Sequence, residues 1–535
     1  MTKYLKHWAP ISWLLVIGGF ALLHALHLGA DFPNHTLWTS DWAKYTDEGW
    51  YGNAAVRAHL FGHWYLPGDF NPAVALPVLP FLEWVLFFFT GVSLEAVRGL
   101  TAGFFFLNLL LAYLLLRQRA PRWAALGALT LMATSPFLFC FSRLGILEPP
   151  LTAATLAALN LAVRLPRMRR PILASVALGL LLTVMVLTKT TAVFLLPAVA
   201  WAALVPLRGR AMLALRSAGA TAASFALTLG AWMALVAHCG LMPDYRYLFF
   251  VNHYVKPPEF YWPLLSLWWC FHGGFWIDRI LYSLACAAVL GVLLLGTRAA
   301  RWLRLPQAGW AQGLAGDPVW GASVLAAAGY IFFMTIQNHP QPRYFAFVAV
   351  FCFLLVAQTA AALVGEAGRW PRGAGWAVIA LASMATAFNA AQTANYALHP
   401  EYTFLDAARR LTAYIDAHPN GNRLLLSISG DQIALATHLP AICDDFGTQE
   451  LVSKLGRYQP GWFATWNDLD PGTLEDLHNR YSLEQVAVFP ALDDPERNQL
   501  TLFKLHPLPG GRMREPSRQN LQVVLPDDRI EIPIE

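Results

Sequence analysis

Asp47 and Glu48 stand side by side in Thr46-Asp47-Glu48-Gly49-Trp50-Tyr51, just past the first long apolar run of the chain. A carboxylate held at such a boundary can serve as a general base, taking a proton from a sugar hydroxyl within hydrogen-bond reach. The same residues also read as an ordinary helix start. Thr46 suits the N-cap, and two acids in the first turn complement the helix dipole. The readings are compatible, because a helix start holds a carboxylate rigidly. Asp41, Asp69 and Glu83 lie in the same inter-run segment; Asp41 and Asp69 read as solvated. Two carboxylates in one loop leave a divalent metal on Asp47 and Glu48 open, with no coordination set fixed.

Cations at run ends are the next candidates. Lys189 sits in Leu187-Thr188-Lys189-Thr190-Thr191 between two apolar runs. A lysine at bilayer depth is costly and marks a partner or a cavity, unless its long stem reaches the interface. The functional reading is a phosphate partner. Arg143 and Glu148 bracket a short loop, and Arg343-Tyr344 follows Gln337-Asn338-His339-Pro340. Arginine suits bidentate phosphate recognition, although either loop charge also reads as a helix end. Segment 238–277 carries Asp244, Arg246, His253, Lys256 and Glu259 among aromatics and reads as a cap over a lipid-accessible cleft. His253 is a metal-ligand candidate with no partner fixed by spacing.

The elements that must position these groups are membrane helices. The 535 residues are 56% hydrophobic and 13% charged, where soluble domains carry about 25% charge. Mean hydropathy is +0.43. The net charge of +5 does not point to nucleic acid, because the basic residues sit in short loops between apolar runs. Many of the 21 Trp lie near run ends, as at membrane interfaces. Cysteines show no metal spacing; Cys239 and Cys270 can share one loop, so a disulfide stays open beside free thiols.

Spans of roughly 20 apolar residues are expected at 11–29, 99–116, 123–140, 149–163, 172–188, 191–207, 217–237, 278–296, 318–336, 344–364 and 376–393. The first run lacks a small-residue cleavage site and reads as a retained helix rather than a signal peptide. With eleven spans, the arginine-rich loops 117–122, 164–171, 208–216, 297–316 and 365–375 and the N-terminus fall on one side, and positive loops stay cytoplasmic. The C-terminus and the segments bearing Asp47, Arg143, Lys189 and Arg343 then face outward. The run 77–90 is short and contains Pro80 and Glu83. If it spanned, the arginine parity would invert, so 72–90 and 46–61 read as helices on the outer membrane surface or against the bundle. From about Tyr396 charge rises and turn residues appear. Residues 396–535 read as a soluble α/β domain, with a helix over 401–418 and strands at 423–429, 485–490 and 500–506.

These pieces in this order resemble the GT-C membrane glycosyltransferases, the superfamily of the protein O-mannosyltransferases and the aminoarabinose transferase of lipid A. Asp47-Glu48 with Tyr51 and Ala55 is similar to the acidic pair of the family's first external loop. Arg143-Leu144-Gly145-Ile146-Leu147-Glu148 resembles a segment that usually ends in Asp. Leu187-Thr188-Lys189-Thr190 resembles Leu-Thr-Lys-Gly, and Arg343-Tyr344 the Arg-Tyr before a late helix. The resemblance spans about 10–395, within a transmembrane catalytic domain of 1–395. It implies a mostly α polytopic fold with juxtamembrane helices and an external C-terminal α/β domain, in a bacterial-type inner membrane. It further implies a polyprenyl-phosphate sugar donor and a lipid, glycan or protein acceptor. Transfer is then inverting, with Asp47 as base and Glu48 orienting the site or binding metal. Tyr51, Glu83, Arg143, Glu148, Lys189, Arg343 and Tyr344 fall to substrate and phosphate binding. Where relatives carry Lys/His-Pro-Pro-Leu, this chain has Phe70-Asn71-Pro72-Ala73-Val74, which leaves the lipid phosphate to Lys189, Arg143 or Arg343. The alternative is a transporter or flippase of lipid-linked sugars, although no internal repeat is visible; a scaffold working through its C-terminal domain is a third.

Overall fold

The computed structural model describes residues 2–509, except 34–37, 39–40, 252–261, 299–301, 303–306, 338–339, 445, 468–470, 493 and 495–496. The helices are α1 (Thr2–Leu23), α2 (Asp47–Phe61), α3 (Val78–Thr90), α4 (Leu94–Leu116), α5 (Arg122–Thr134), α6 (Pro136–Ser142), α7 (Glu148–Arg164), α8 (Pro171–Thr188), α9 (Leu196–Leu204), α10 (Ala211–His238), α11 (Met242–Arg246), α12 (Trp262–His272), α13 (Arg279–Gly296), α14 (Gly309–Ala315), α15 (Pro318–Gln337), α16 (Pro342–Gly365) and α17 (Arg369–Leu398). A C-terminal layer adds α18 (Thr403–Ala417), α19 (Gly430–Thr437), α20 (Leu451–Tyr458) and α21 (Pro471–His478), with strands β1 (Leu425–Leu426), β2 (Ala441–Ile442), β3 (Trp462–Thr465), β4 (Tyr481–Pro490) and β5 (Gln499–Pro507).

Among the described residues, eight helices are long and apolar enough to cross a membrane, or nine if the pair α5–α6, bent by 66°, counts as one span. The chain is an integral membrane protein. Two of the eleven expected spans fall short of that length. The apolar part of α1 is Trp13–Leu23, and α7 has 17 residues after the Glu148-Pro149-Pro150 start. The short run around Pro80 forms α3, 13 residues, too short to cross.

The centre of the bundle is α16. It is apolar on every face, and a helix of that kind is stable only when surrounded. Phe345, Phe347, Phe351 and Phe353 are fully buried there. At the other extreme, α10 leaves Leu215, Leu227 and Leu235 exposed, as suits a helix facing lipid tails. Short arginine-bearing connections close one end of the bundle; Arg119 pairs with Asp317 at 3.8 Å and Arg210 donates to the Pro166 carbonyl. At the opposite end the starts of α7 and α16 meet the end of α8, and α2 and α3 lie across them.

Over that end sits the C-terminal sheet, ordered β2-β1-β3-β5-β4, parallel over its first three strands and antiparallel over the rest. The three expected strands correspond to β1, β4 and β5; β2 and β3 carry no alternating pattern because both faces of the sheet are covered there. All six cysteines are free; Cys270 is buried and Cys239 exposed, so the disulfide does not form.

Candidate functional site

Asp47 opens α2 and is 2% exposed. Its Oδ2 lies 3.0 Å from Arg343 Nε at the start of α16. The contact is an ion pair rather than an aligned hydrogen bond. Arg343 is clamped from its other side by Asp41, through Nη1 at 2.8 Å and its own backbone N–H at 2.6 Å. Asp41 is therefore buried, not solvated, and it also caps the turn Trp42–Lys44 through the N–H of Ala43. Asp69 is buried too, paired with Arg57 at 2.7 Å. Sequence patterning places both acids in a loop, and loops are usually wet; here the C-terminal layer covers that loop.

A second ion pair joins Lys189, at the end of α8, to Glu148, at the start of α7. Glu148 keeps one oxygen, Oε2, without a hydrogen-bond partner among the described residues. Tyr344 ties the two pairs together. Its ring centroid is 4.2 Å from Lys189 Nζ and 5.0 Å from Arg343 Cζ, so both cations lie against one aromatic ring. Tyr51, one turn beyond Asp47, shares this environment. Burial pushes its hydroxyl pKa up, and the Asp47 charge pushes it further. Burial also raises the Asp47 carboxyl above its ordinary range, while Arg343 pulls it back.

Glu48 faces the other way. Arg98 grips both of its oxygens, at 2.7 and 2.6 Å. The Gly145 N–H donates at 2.8 Å and the Gln432 amide at 2.9 Å. Both oxygens are occupied, so Glu48 is an anchor and not a free catalytic group. Arg143 is engaged elsewhere. It donates to the carbonyls of Leu26 and His27 and stacks on Phe139 at 4.6 Å. With Arg98 and Asp31 it lines a small separate crevice. Burial lowers its pKa to about 10. Glu83 joins neither ion pair. Both of its oxygens are buried without hydrogen-bond partners against Gly52, where a β-carbon would overlap the carboxylate. Burial holds this carboxyl well above its ordinary pKa. His253 lies outside the described residues.

Among the described residues no cluster of three or more His, Cys, Asp or Glu side chains could hold an ion. Of the three candidate ligands, Asp47, Glu48 and His253, Glu48 already accepts two hydrogen bonds on each oxygen. Sequence reasoning missed Arg98, Asp41 and Gln432. Arg98 has a readable signal, an arginine one residue before an apolar run; Gln432 has none, being 384 residues from Glu48.

No protein-family model and no curated protein matches the sequence. Solved structures do match. ArnT from Cupriavidus metallidurans, in its apo state, superposes with a TM-score of 0.56 at 13% identity, covering 93% of this chain and 98% of that one. The same protein bound to undecaprenyl phosphate gives 0.57 at 12% identity, covering 92% and 98%. This chain has the fold of the GT-C glycosyltransferases. The Archaeoglobus fulgidus oligosaccharyltransferase in its apo form also shares it, with a TM-score of 0.52 and 16% identity over 89% of this chain and 71% of that one.

Proposed function

We propose that the chain transfers a sugar from an isoprenoid-phosphate donor to an acceptor hydroxyl at the non-cytoplasmic face, with Asp47 as general base. The observation that carries this is the convergence of Asp47, Arg343, Tyr344, Lys189 and Glu148 from four separate elements at one end of a GT-C fold. The neighbours support the donor class: one ArnT structure holds undecaprenyl phosphate, and one Archaeoglobus complex holds a dolichol-phosphate. The arginine loops at the opposite end support an outward orientation of this face by the positive-inside rule.

The proton of the acceptor hydroxyl passes to Asp47. The acceptor oxygen forms a bond to the anomeric carbon as the bond from that carbon to the phosphate oxygen breaks, and one displacement inverts the centre. The departing phosphate monoester gains negative charge. Lys189 and Arg343 stabilise it more in the transition state than before it. Each cation already has carboxylate partners, so the phosphate must share Lys189 with Glu148. The Tyr344 ring holds both cations in place while partners exchange.

The test uses full-length protein in vesicles with radiolabelled undecaprenyl-phosphate sugars. Asp47→Asn abolishes transfer, and Lys189→Met lowers turnover by roughly 10²–10³ at saturating donor, the cost of losing one preorganised donor to a developing charge. Full transfer by Asp47→Asn overturns the assignment. A flippase would instead move donor across the bilayer in both variants.

A further inference from the structure

We infer that Gln432, in the C-terminal layer, is a positioning residue for Asp47, resting on the proposed transfer reaction. The first N–H groups of a helix have no partner within it, and an N-cap side chain usually accepts from the N–H two or three residues on. In α2 that cap is Thr46, and it makes no such bond. Its hydroxyl points to Asp47 Oδ1 at 3.1 Å and to the Trp42 carbonyl at 3.2 Å. The N–H it leaves over is that of Gly49, and Gln432 Oε1 accepts it at 2.8 Å. The same amide donates to Glu48 Oε2 at 2.9 Å. One fully buried side chain thus takes over the cap's task and fixes the residue next to the base, while the Thr46 hydroxyl shares its one proton between the Trp42 carbonyl and Asp47.

The approach is close. A β-carbon on Gly49 would overlap the backbone of Asp431 and Gln432. The segment follows β1, and Ile428 accepts from the Trp50 indole at 3.1 Å. Attachment of the layer does not depend on Gln432. Asp431 binds Asn53 at 2.9 Å and Arg57 at 3.1 Å, one and two turns further along α2. Gln432 can therefore be altered with the layer still docked.

The experiment uses the full chain in vesicles, with wild type, Asp47→Asn, Gln432→Met and Gln432→Glu. Methionine keeps the volume and removes both bonds; glutamate keeps the acceptor for Gly49 and, once ionised, loses the donor to Glu48, since a carboxyl placed beside Glu48 donates only while protonated. In Gln432→Met, hydrogen exchange of the peptide spanning 47–52 speeds at least tenfold while that spanning 462–465 is unchanged. Its kcat falls by roughly 10²-fold, the cost of an approximately 1 Å misplacement, with KM for the undecaprenyl-phosphate sugar within twofold. Gln432→Glu retains the slow exchange and loses turnover at a pH where the introduced carboxyl is ionised. Unchanged exchange, unchanged kcat, or a loss confined to KM each overturn the positioning role. If Gln432→Met fails to fold, Gln432→Glu decides by kcat against KM. A wild type that transfers nothing, or an Asp47→Asn as active as wild type, overturns the transfer reading itself. Failure of positioning alone looks different: an active wild type, a dead Asp47→Asn and an unimpaired Gln432→Met.

Discussion

Arg98→Met is the sharpest probe of the anchor under the first turn of α2. Arg98 supplies two of the four hydrogen bonds to Glu48, whose side chain is fully buried, and also donates to the carbonyls of Leu28 and Ala30. Removing it leaves a buried carboxylate held only by the Gly145 N–H and the Gln432 amide. Breaking a buried pair from one side costs about 3–5 kcal/mol, because the remaining charge is uncompensated. The two lost charge-assisted bonds, at about 1.5–3 kcal/mol each, give a similar figure. Glu48→Gln in the Arg98→Met background removes the stranded charge and recovers about 2 kcal/mol or more of that loss. The assay is a double-mutant cycle on reversible unfolding in mixed micelles, with glycosyl transfer measured alongside. On the proposed reaction, transfer drops with Arg98→Met because Asp47 shares the turn with Glu48. A single-variant cost under about 1 kcal/mol, or a coupling energy near zero, would falsify the anchor role.

Gly52→Ala drives a methyl into the Glu83 carboxylate and costs about 1–3 kcal/mol by overpacking; Glu83→Ala added to it restores thermal stability, and no rescue means the two helices do not meet there. Asp31 accepts from the N–H groups of Thr403 and Phe404, at 2.7 and 3.2 Å, and so caps α18. Asp31→Ala then costs about 0.5–2 kcal/mol, read as a lower melting midpoint; a midpoint equal to wild type sinks this. Burial pushes the Asp431 carboxyl up to about 6, against the pull of Arg57. The folded chain then keeps a proton that the unfolded chain releases near its ordinary value, so this group's stabilisation is full at low pH and is lost as pH rises toward about 6. Melting midpoints of wild type should fall across that window relative to Asp431→Asn, and parallel profiles refute it.

What the sequence determines is the set of apolar runs, because a bilayer span must satisfy its backbone internally and so advertises itself as a long helix of apolar residues. It also determines the asymmetry of the arginines, and the identity of Asp47, Lys189 and Arg343 as charges stranded at run ends, where a charge without a purpose is costly. It also marks α7, since the expected run 149–163 lies within one residue of Glu148–Arg164 at each end. Only the tertiary structure decides which charges pair. Asp41 reads as a wet loop residue until α16 brings Arg343 to it. Glu48 looks as catalytic as its neighbour until Arg98, Gly145 and Gln432 arrive from three directions and use up its oxygens. The reason is physical: helix formation and membrane insertion are governed by local composition, whereas the state of a buried carboxylate depends on donors within about 3 Å, and those are supplied by segments as much as 384 residues away.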